Sequence, residues 1–376
     1  MADWVLVENP FAPSPLLTGG RDPRQARELE WLLGELHETL KELKHGLEDC
    51  YALLAPVDPG STLLVSTPRN EIVKGHITRV GTRIVKGVRP SPPRRGFRVR
   101  LADGEDAIQT LHLKLRTAPP QTLSINPDRP IHLASLETLH TLLTHSIDLV
   151  NLTVSYSYPA AAAVPHVAPL PAGRGSTAPF VAAQLRLLSQ SLAEASALLR
   201  GPPLTDADPA WTSRSAAPAC FDPPLAPLPA PPPPGQHHHL HHSAAAAAGG
   251  STLSFHLGLQ DSQLVLWLRA LEPADAPVNL GMKFALAIGT ARRLEHDESD
   301  RVFRFAWDGA AEPGRPPPDA PAAGPPGVDV FVREKLRIET PDPSLLSLSA
   351  KLASLSHTLS LARGNLAAVM GEDLEE

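Results

Sequence analysis

Two leucine series, one near each end of the chain, restrict its folding more than anything between them. Leu29, Leu33, Leu36, Leu40, Leu43, Leu47, Cys50 and Leu54 follow one another at alternating steps of four and three. Leu345, Leu348, Leu352, Leu355, Leu359, Ala362, Leu366 and Val369 repeat the pattern. That spacing lays one apolar seam along a helix, and the seam has to be covered by another helix. The expected structural heptad core is Leu29, Leu33, Leu36, Leu40, Leu43, Leu47, Leu345, Leu348, Leu352, Leu355, Leu359 and Leu366. Most of the chain lies between the two series, so their pairing would bring its two ends together.

Two further segments carry the same periodicity. Leu133, Leu136, His140, Leu143, Ile147 and Val150 predict a helix over 131–150. Val181, Leu185, Leu188, Leu192, Ala195 and Leu199 predict another over 179–200. Asp22-Pro23 and Asp342-Pro343 open the two terminal helices with a capping carboxylate followed by proline at the first helical position. The first helix is expected to run to Leu54, a length of about 45 Å. Alternation with period two marks strands instead. It is found at Leu63–Val65, Ile72–Thr78, Thr82–Lys86 and Leu111–Leu115, then in a hairpin at 253–268, at 282–288, at 303–307 and at 328–340. A short strand over 151–158 is also expected.

Charge on the flanks of each seam separates a free dimeric zipper from an internal bundle. A two-stranded coiled coil needs charged e and g positions and a solvated outer face. The first helix has them in Glu28, Glu30, Glu35, Glu38, Lys41, Glu42, Lys44 and Glu48, which a solvated face explains. The last helix carries only Lys351 and Arg363 before Met370, and the two central helices are nearly as sparse. Extra leucines (Leu139, Leu142, Leu187, Leu346, Leu361) widen their apolar stripes, which points to burial by several neighbours. The expected fold is α+β and elongated in two parts. Segments 22–55, 131–150, 179–200 and 343–370 form an antiparallel helical bundle, and 61–117 with 251–340 form a mainly antiparallel β-domain. Prolines, 42 in all, concentrate in segments expected to be flexible or disordered: 1–21, 159–178, 201–250 and 309–327. Removing 205–248 should then leave folding intact.

Composition removes several functions. A net charge of −6 and 5% aromatic residues give no basic, base-stacking surface for nucleic acid. Two distant cysteines, Cys50 and Cys220, make no disulfide framework and fit a reducing compartment. No signal sequence and no apolar run long enough to span a bilayer is present, so any membrane association is expected to be peripheral. His237, His238, His239, His241 and His242 are the one concentrated set of metal-ligand side chains. They lie in a Pro/Ala tract with nothing to hold a coordination geometry, and low-complexity drift explains them. His140 and His145 are five residues apart and do not share a helical face. No HExxH, CxxC pair, GxSxG or phosphate-binding loop occurs. No catalytic, cofactor-binding or metal-binding residue is assigned, and the chain is read as a non-enzymatic scaffold or assembly protein. The basic stretch at 94–100, beside Pro92-Pro93, is read as an exposed loop.

Four extended blocks resemble one family. These are ELEWLLGELHETLKELKHGLEDCYALL at 28–54, STPRNEIVKGHITRVGTRIVKG at 66–87, LHLKLRTAPPQTLSINPDRPIHLASLETLHTLLTHSIDLV at 111–150 and VREKLRIETPDPSLLSLSAKLASLSHTL at 332–359. Together they resemble the Rogdi family, which includes the fungal second subunit of the RAVE complex, the regulator of the vacuolar and endosomal proton-pumping ATPase. The chain departs from it in the linkers and in 88–110, which looks like an insertion. The resemblance implies a non-catalytic subunit that binds the large β-propeller scaffold of RAVE and, through it, peripheral-sector subunits of the V-ATPase. It implies reassembly of the peripheral and membrane sectors, hence acidification of vacuoles and endosomes, in a cytoplasmic protein peripherally associated with those membranes. No cofactor is implied. A dimeric coiled-coil tether or vesicle-trafficking adaptor is the competing reading of the same seams.

Overall fold

A computed structural model describes residues 23–54, 60–85, 110–116, 120–157, 177–202, 210–226, 252–274, 296–307 and 327–371. It is a mixed fold of helices and antiparallel sheets. The long helices are α1 (Pro23–Leu54), α2 (Ala134–Ser157), α3 (Ala178–Arg200) and α5 (Pro343–Met370), with a single turn, α4, at Trp211–Arg214. Two of the helix boundaries have a visible cause. The Ser344 amide donates to Asp342 Oδ1 at 2.9 Å, capping α5. At the end of α3, Gly201 has φ +72°, and its amide donates to the Ala197 carbonyl at 2.9 Å. A Cβ at Gly201 would lie 2.1 Å from the Leu259 carbonyl oxygen, so only glycine fits.

The strands form two sheets. The first joins β1 (Ser61–Ser66), β2 (Val73–Val80), β3 (Arg83–Val85), β4 (Thr110–Leu113), β5 (Gln121–Ile125), β6 (Ile131–His132) and β7 (Phe221–Asp222). Its order is β6-β3-β2-β4-β5-β7, with β1 on the other side of β2. The second joins β8 (Thr252–Gln260), β9 (Gln263–Pro273), β10 (Val302–Phe305) and β11 (Val328–Pro341) in the order β10-β11-β9-β8. The β8–β9 turn falls on Asp261 and Ser262, both with positive φ, as a tight hairpin requires. Their amides donate to the Arg200 and Leu199 carbonyls, so the hairpin tip satisfies the C-terminal end of α3.

Several expectations need correction. Residues 151–157 of the expected strand at 151–158 are helix instead. α2 continues to Ser157, because Val150, Thr153 and Ser157 extend its buried stripe and the Thr153 hydroxyl bonds back to the Leu149 carbonyl. The β-branched residues there favour strand locally, and tertiary burial overrides that preference. α2 also starts later than 131, since Ile131 and His132 pair with β3. The strand groups make two sheets rather than one β-part, and β5, β6 and β7 lie outside the expected strand segments.

The largest correction concerns 201–250. Residues 210–226 are packed: Trp211, Phe221 and Leu225 are buried, and Phe221-Asp222 pairs with Ser124-Ile125. Three large apolar side chains without periodicity anchor this stretch, so its sequence carries neither the helical nor the strand period. The expected strand at 282–288, the 88–110 insertion except Thr110, the 1–21 arm and the His tract lie outside the described residues, as do almost all of 159–178 and 309–327.

By internal packing the chain divides into two compact units. One is made of 1–45, 148–190 and 356–376, the other of 46–147 and 191–355. The second contains both sheets together with helical segments, so the division does not follow the expected line between a bundle and a β-domain. Within the second unit, Trp211, Leu271, Phe305, Val330 and Val332 form one buried cluster.

Candidate functional site

The heptad positions come first. Leu29, Leu33, Leu36, Leu40, Leu43 and Leu47 are buried, as are Leu345, Leu348, Leu352, Leu359 and Leu366. This chain alone covers them. Leu355 is half-buried and lies over Gly46, where a Cβ would approach its Cδ2 to 2.4 Å. In the second unit, therefore, the end of α1 meets the start of α5. Lys351 Nζ adds an ion pair to Asp49 at 2.5 Å, and the Tyr51 hydroxyl contacts His140 Nε2 of α2 at 3.0 Å. In the first unit Arg363 Nη1 donates to Ser189 Oγ of α3 at 2.9 Å, and the Tyr156 and Phe180 rings lie 6.0 Å apart. Both cations of α5 thus bond to a neighbouring helix of the same chain.

Two buried charge clusters organise the second unit. Arg79, on β2, is fully buried and donates from Nε to Asp342 Oδ2 at 2.5 Å. Its Nη1 donates to the Leu54 carbonyl at 3.0 Å and the Gly81 carbonyl at 2.7 Å. One guanidinium joins the C-terminus of α1, the β2–β3 turn and the N-cap of α5, while its Nη2 has no partner among the described residues. The fork of Arg donors makes this possible, and a lysine could not reach all three.

The second cluster lies on β9 and β11, where register places Lys335 opposite Arg269 and Arg337 opposite Trp267. Glu298 receives both Arg269 Nε (2.7 Å) and Nη2 (2.9 Å), and also Lys335 Nζ (2.7 Å). Lys335 bonds Asp297 as well. The Arg269 guanidinium stands 4.5 Å from the Trp211 ring. Trp267 has Arg269, Lys335 and Arg337 at 5.1–5.3 Å from its ring. Burial pushes the Glu298 carboxyl up, but the Arg269 and Lys335 hydrogen bonds and charges outweigh it and hold the group below its ordinary value. Lys335 does the same to Asp297.

These groups are built to stay charged and fixed. A carboxylate held below its ordinary value by two cations is a poor proton acceptor at neutral pH. Burial pushes the Cys50 thiol up to about 11, away from a nucleophile's range. His112 lies between the Thr110 and Thr122 hydroxyls, at 3.3 and 3.0 Å, in an exposed position, and among the described residues no carboxylate orients its ring. Among the described residues no group of three or more His, Cys, Asp or Glu side chains is arranged to hold a metal, and no helix is long and apolar enough to cross a membrane. Arg79, Arg269, Glu298 and Asp342 were not singled out by sequence reasoning. A charged residue inside an otherwise alternating strand was the available signal.

These elements define a leucine-zipper-containing α+β protein whose seams are covered, and whose buried charges are paired, within the chain. A family model described as "Rogdi leucine zipper containing protein" matches residues 28–367, and the chain belongs to that family. No curated protein matches the sequence.

Proposed function

We propose that this chain is a non-catalytic subunit of a RAVE-like complex and promotes the joining of the peripheral and membrane sectors of the V-ATPase. It binds a large β-propeller scaffold and, through it, peripheral-sector subunits, and the outcome is acidification of vacuoles and endosomes. It works in the cytoplasm, peripherally associated with those membranes. The observation that carries this reading is the family match over 28–367, which spans nearly all of the four long helices. Burial of both leucine seams by the chain itself supports an assembly subunit over a dimeric tether, which would need a seam to offer. Contacts of α1 with α2 and α5 within the second unit, and of α3 with α2 and α5 within the first, support helix-on-helix packing in each.

Cells lacking the protein should contain both ATPase sectors in normal amounts with fewer of them joined, and their vacuoles should be less acidic. Co-purification of the sectors from null and complemented cells is the measurement. Normal joining in the null would sink the assembly reading and favour the tether.

A further inference from the structure

α2 carries two apolar series. One is the buried stripe that holds Val150, Thr153 and Ser157. The other is Leu142, His145, Leu149, Leu152 and Tyr156, which advances by alternating steps of three and four. Its last three members lie about 100° round the helix from the buried stripe. They belong to the first unit and stand open: Leu149 is half-buried, Leu152 is 46% exposed and Tyr156 69%. The Tyr156 ring meets Phe180 of α3, with centroids 6.0 Å apart. From Phe180, the residues Ala183, Gln184 and Leu187 follow at i+3, i+4 and i+7, the four positions that outline a hole for a knob from a neighbouring helix. Ala183 and Leu187 are exposed, and the small Ala183 side chain leaves the middle of the hole open. Neither 151–157 nor 177–185 contains a charged residue. A face kept for solvent would carry charge, as the outer face of α1 does.

We propose that this α2–α3 groove of the first unit docks one helix of a partner protein through an uncharged, apolar stripe. The three-four spacing selects a helix, because a helix repeats with that period along one face. Size decides against a second copy. At about 200 Å² for each fully exposed side chain, Leu152, Tyr156 and Leu187 (48% exposed) leave roughly 300 Å² uncovered, whereas each side of a stable dimer contributes about 800 Å². A single docked helix buries one stripe and needs less. An anionic membrane would need a set of lysines and arginines around the apolar residues, and Arg186 is the only cation within 148–157 and 177–187. With no charge along the groove, affinity should hold steady as salt is raised. The proposal goes beyond the assembly reading and stands whether or not the chain joins the ATPase sectors, since it rests on this groove alone.

The test uses the full chain and a fluorescein-labelled 18-residue helical peptide with leucine at positions 4, 8, 11 and 15 on a charge-balanced Ala/Glu/Lys background, read by anisotropy. The wild-type chain should bind it saturably, with little change in affinity as salt is raised. Leu152→Ser/Leu187→Ser should lose at least fivefold in affinity with its circular dichroism melt unchanged, because both side chains are already exposed. Leu361→Ser, which removes an exposed leucine of α5 off the groove, should bind as the wild type does. Equal binding by the wild type and the double variant overturns the proposal, as does an equal loss in Leu361→Ser or equal binding of a peptide with serine at the four positions. So does a concentration-dependent dimer that the double variant abolishes, which would make the occupant a second copy. Flotation on phosphatidylserine-containing vesicles that the double variant loses would make it a membrane and overturn the proposal too. If the wild type fails to bind, and a chain with 159–176 replaced by a Gly/Ser linker of equal length binds, the occupant is the chain's own segment and the proposal falls.

Discussion

Replacing Asp342 tests the tie between the end of α1, the β2–β3 turn and the start of α5. Its Oδ2 neutralises a fully buried Arg79, and its Oδ1 caps α5. Asp342→Ala leaves a guanidinium in the interior with no counter-charge, at a cost of about 3–5 kcal/mol. Losing the cap adds about 1 kcal/mol. Asp342→Asn has one acceptor oxygen where the carboxylate has two, so it keeps either the α5 cap or the Arg79 Nε hydrogen bond and should cost about 3 kcal/mol, at the lower end of the buried-pair range. Trp211, Trp267 and Trp307 all lie in the second unit, so tryptophan fluorescence in urea is the assay. With a slope of about 3 kcal/mol per molar urea, the midpoint should fall by roughly 1 M for asparagine and 1.3–2 M for alanine. Arg79→Met strands the Asp342 carboxylate and removes the donor of the Leu54 and Gly81 carbonyls. The double variant Arg79→Met/Asp342→Asn carries no stranded charge, so it should be at least about 2 kcal/mol more stable than the sum of the single effects predicts. Additive effects, or single variants each costing under about 1 kcal/mol, would refute the argument that this pair is buried and mutually dependent.

Three more outcomes follow from the packing. Glu298 is held below its ordinary value of 4.5, so its contribution to stability is complete above that pH and is lost as pH falls through the lower folded value. Urea midpoints should therefore drop between about pH 5 and pH 3 in the wild type, and drop less in Glu298→Gln, which starts lower at neutral pH. Trp211→Ala should cost about 3–5 kcal/mol, seen as a lower melting temperature, and deletion of 205–248 should destabilise the fold for the same reason. Gly46→Val drives a branched side chain against Leu355 and should cost about 1–3 kcal/mol; Leu355→Ala in the same chain should restore part of it.

What could be read in advance follows the range of the physical signal. α1, α3 and α5 came out with their boundaries within two residues because a seam sustained over several turns is a local signal repeated many times. The hairpin at Thr252–Pro273 was legible for the same reason at period two. The two residues of β6 and the two of β7 carry no period, and they are strands only because β3 and β5 present edges to them. Trp211 sits in a tract rich in proline and alanine, where composition argues for disorder, yet one indole meets Phe303, Phe305 and Arg269 in a ready pocket. The buried charges were invisible because their meaning lies in partners far along the chain. Arg79 and Asp342 are 263 residues apart, and each looks solvated until the other is placed beside it.

The leucine period also leaves open what a zipper-like helix pairs with, and here the residues beside the seam are more informative than the leucines. In a two-stranded zipper the charges flanking the seam reach across to a second chain. On α5 the only two cations before Met370 turn instead to Asp49 and to Ser189 of the same chain. On α1 the carboxylates of Glu35, Glu38 and Glu42 stand on the side opposite the leucines, exposed around Trp31. The leucines have therefore satisfied their need for cover before any partner arrives. A protein that meets α1 from outside meets an indole flanked by Arg27 on one side and carboxylates on the other, and contact there should vary with salt, as that of an apolar zipper seam would not.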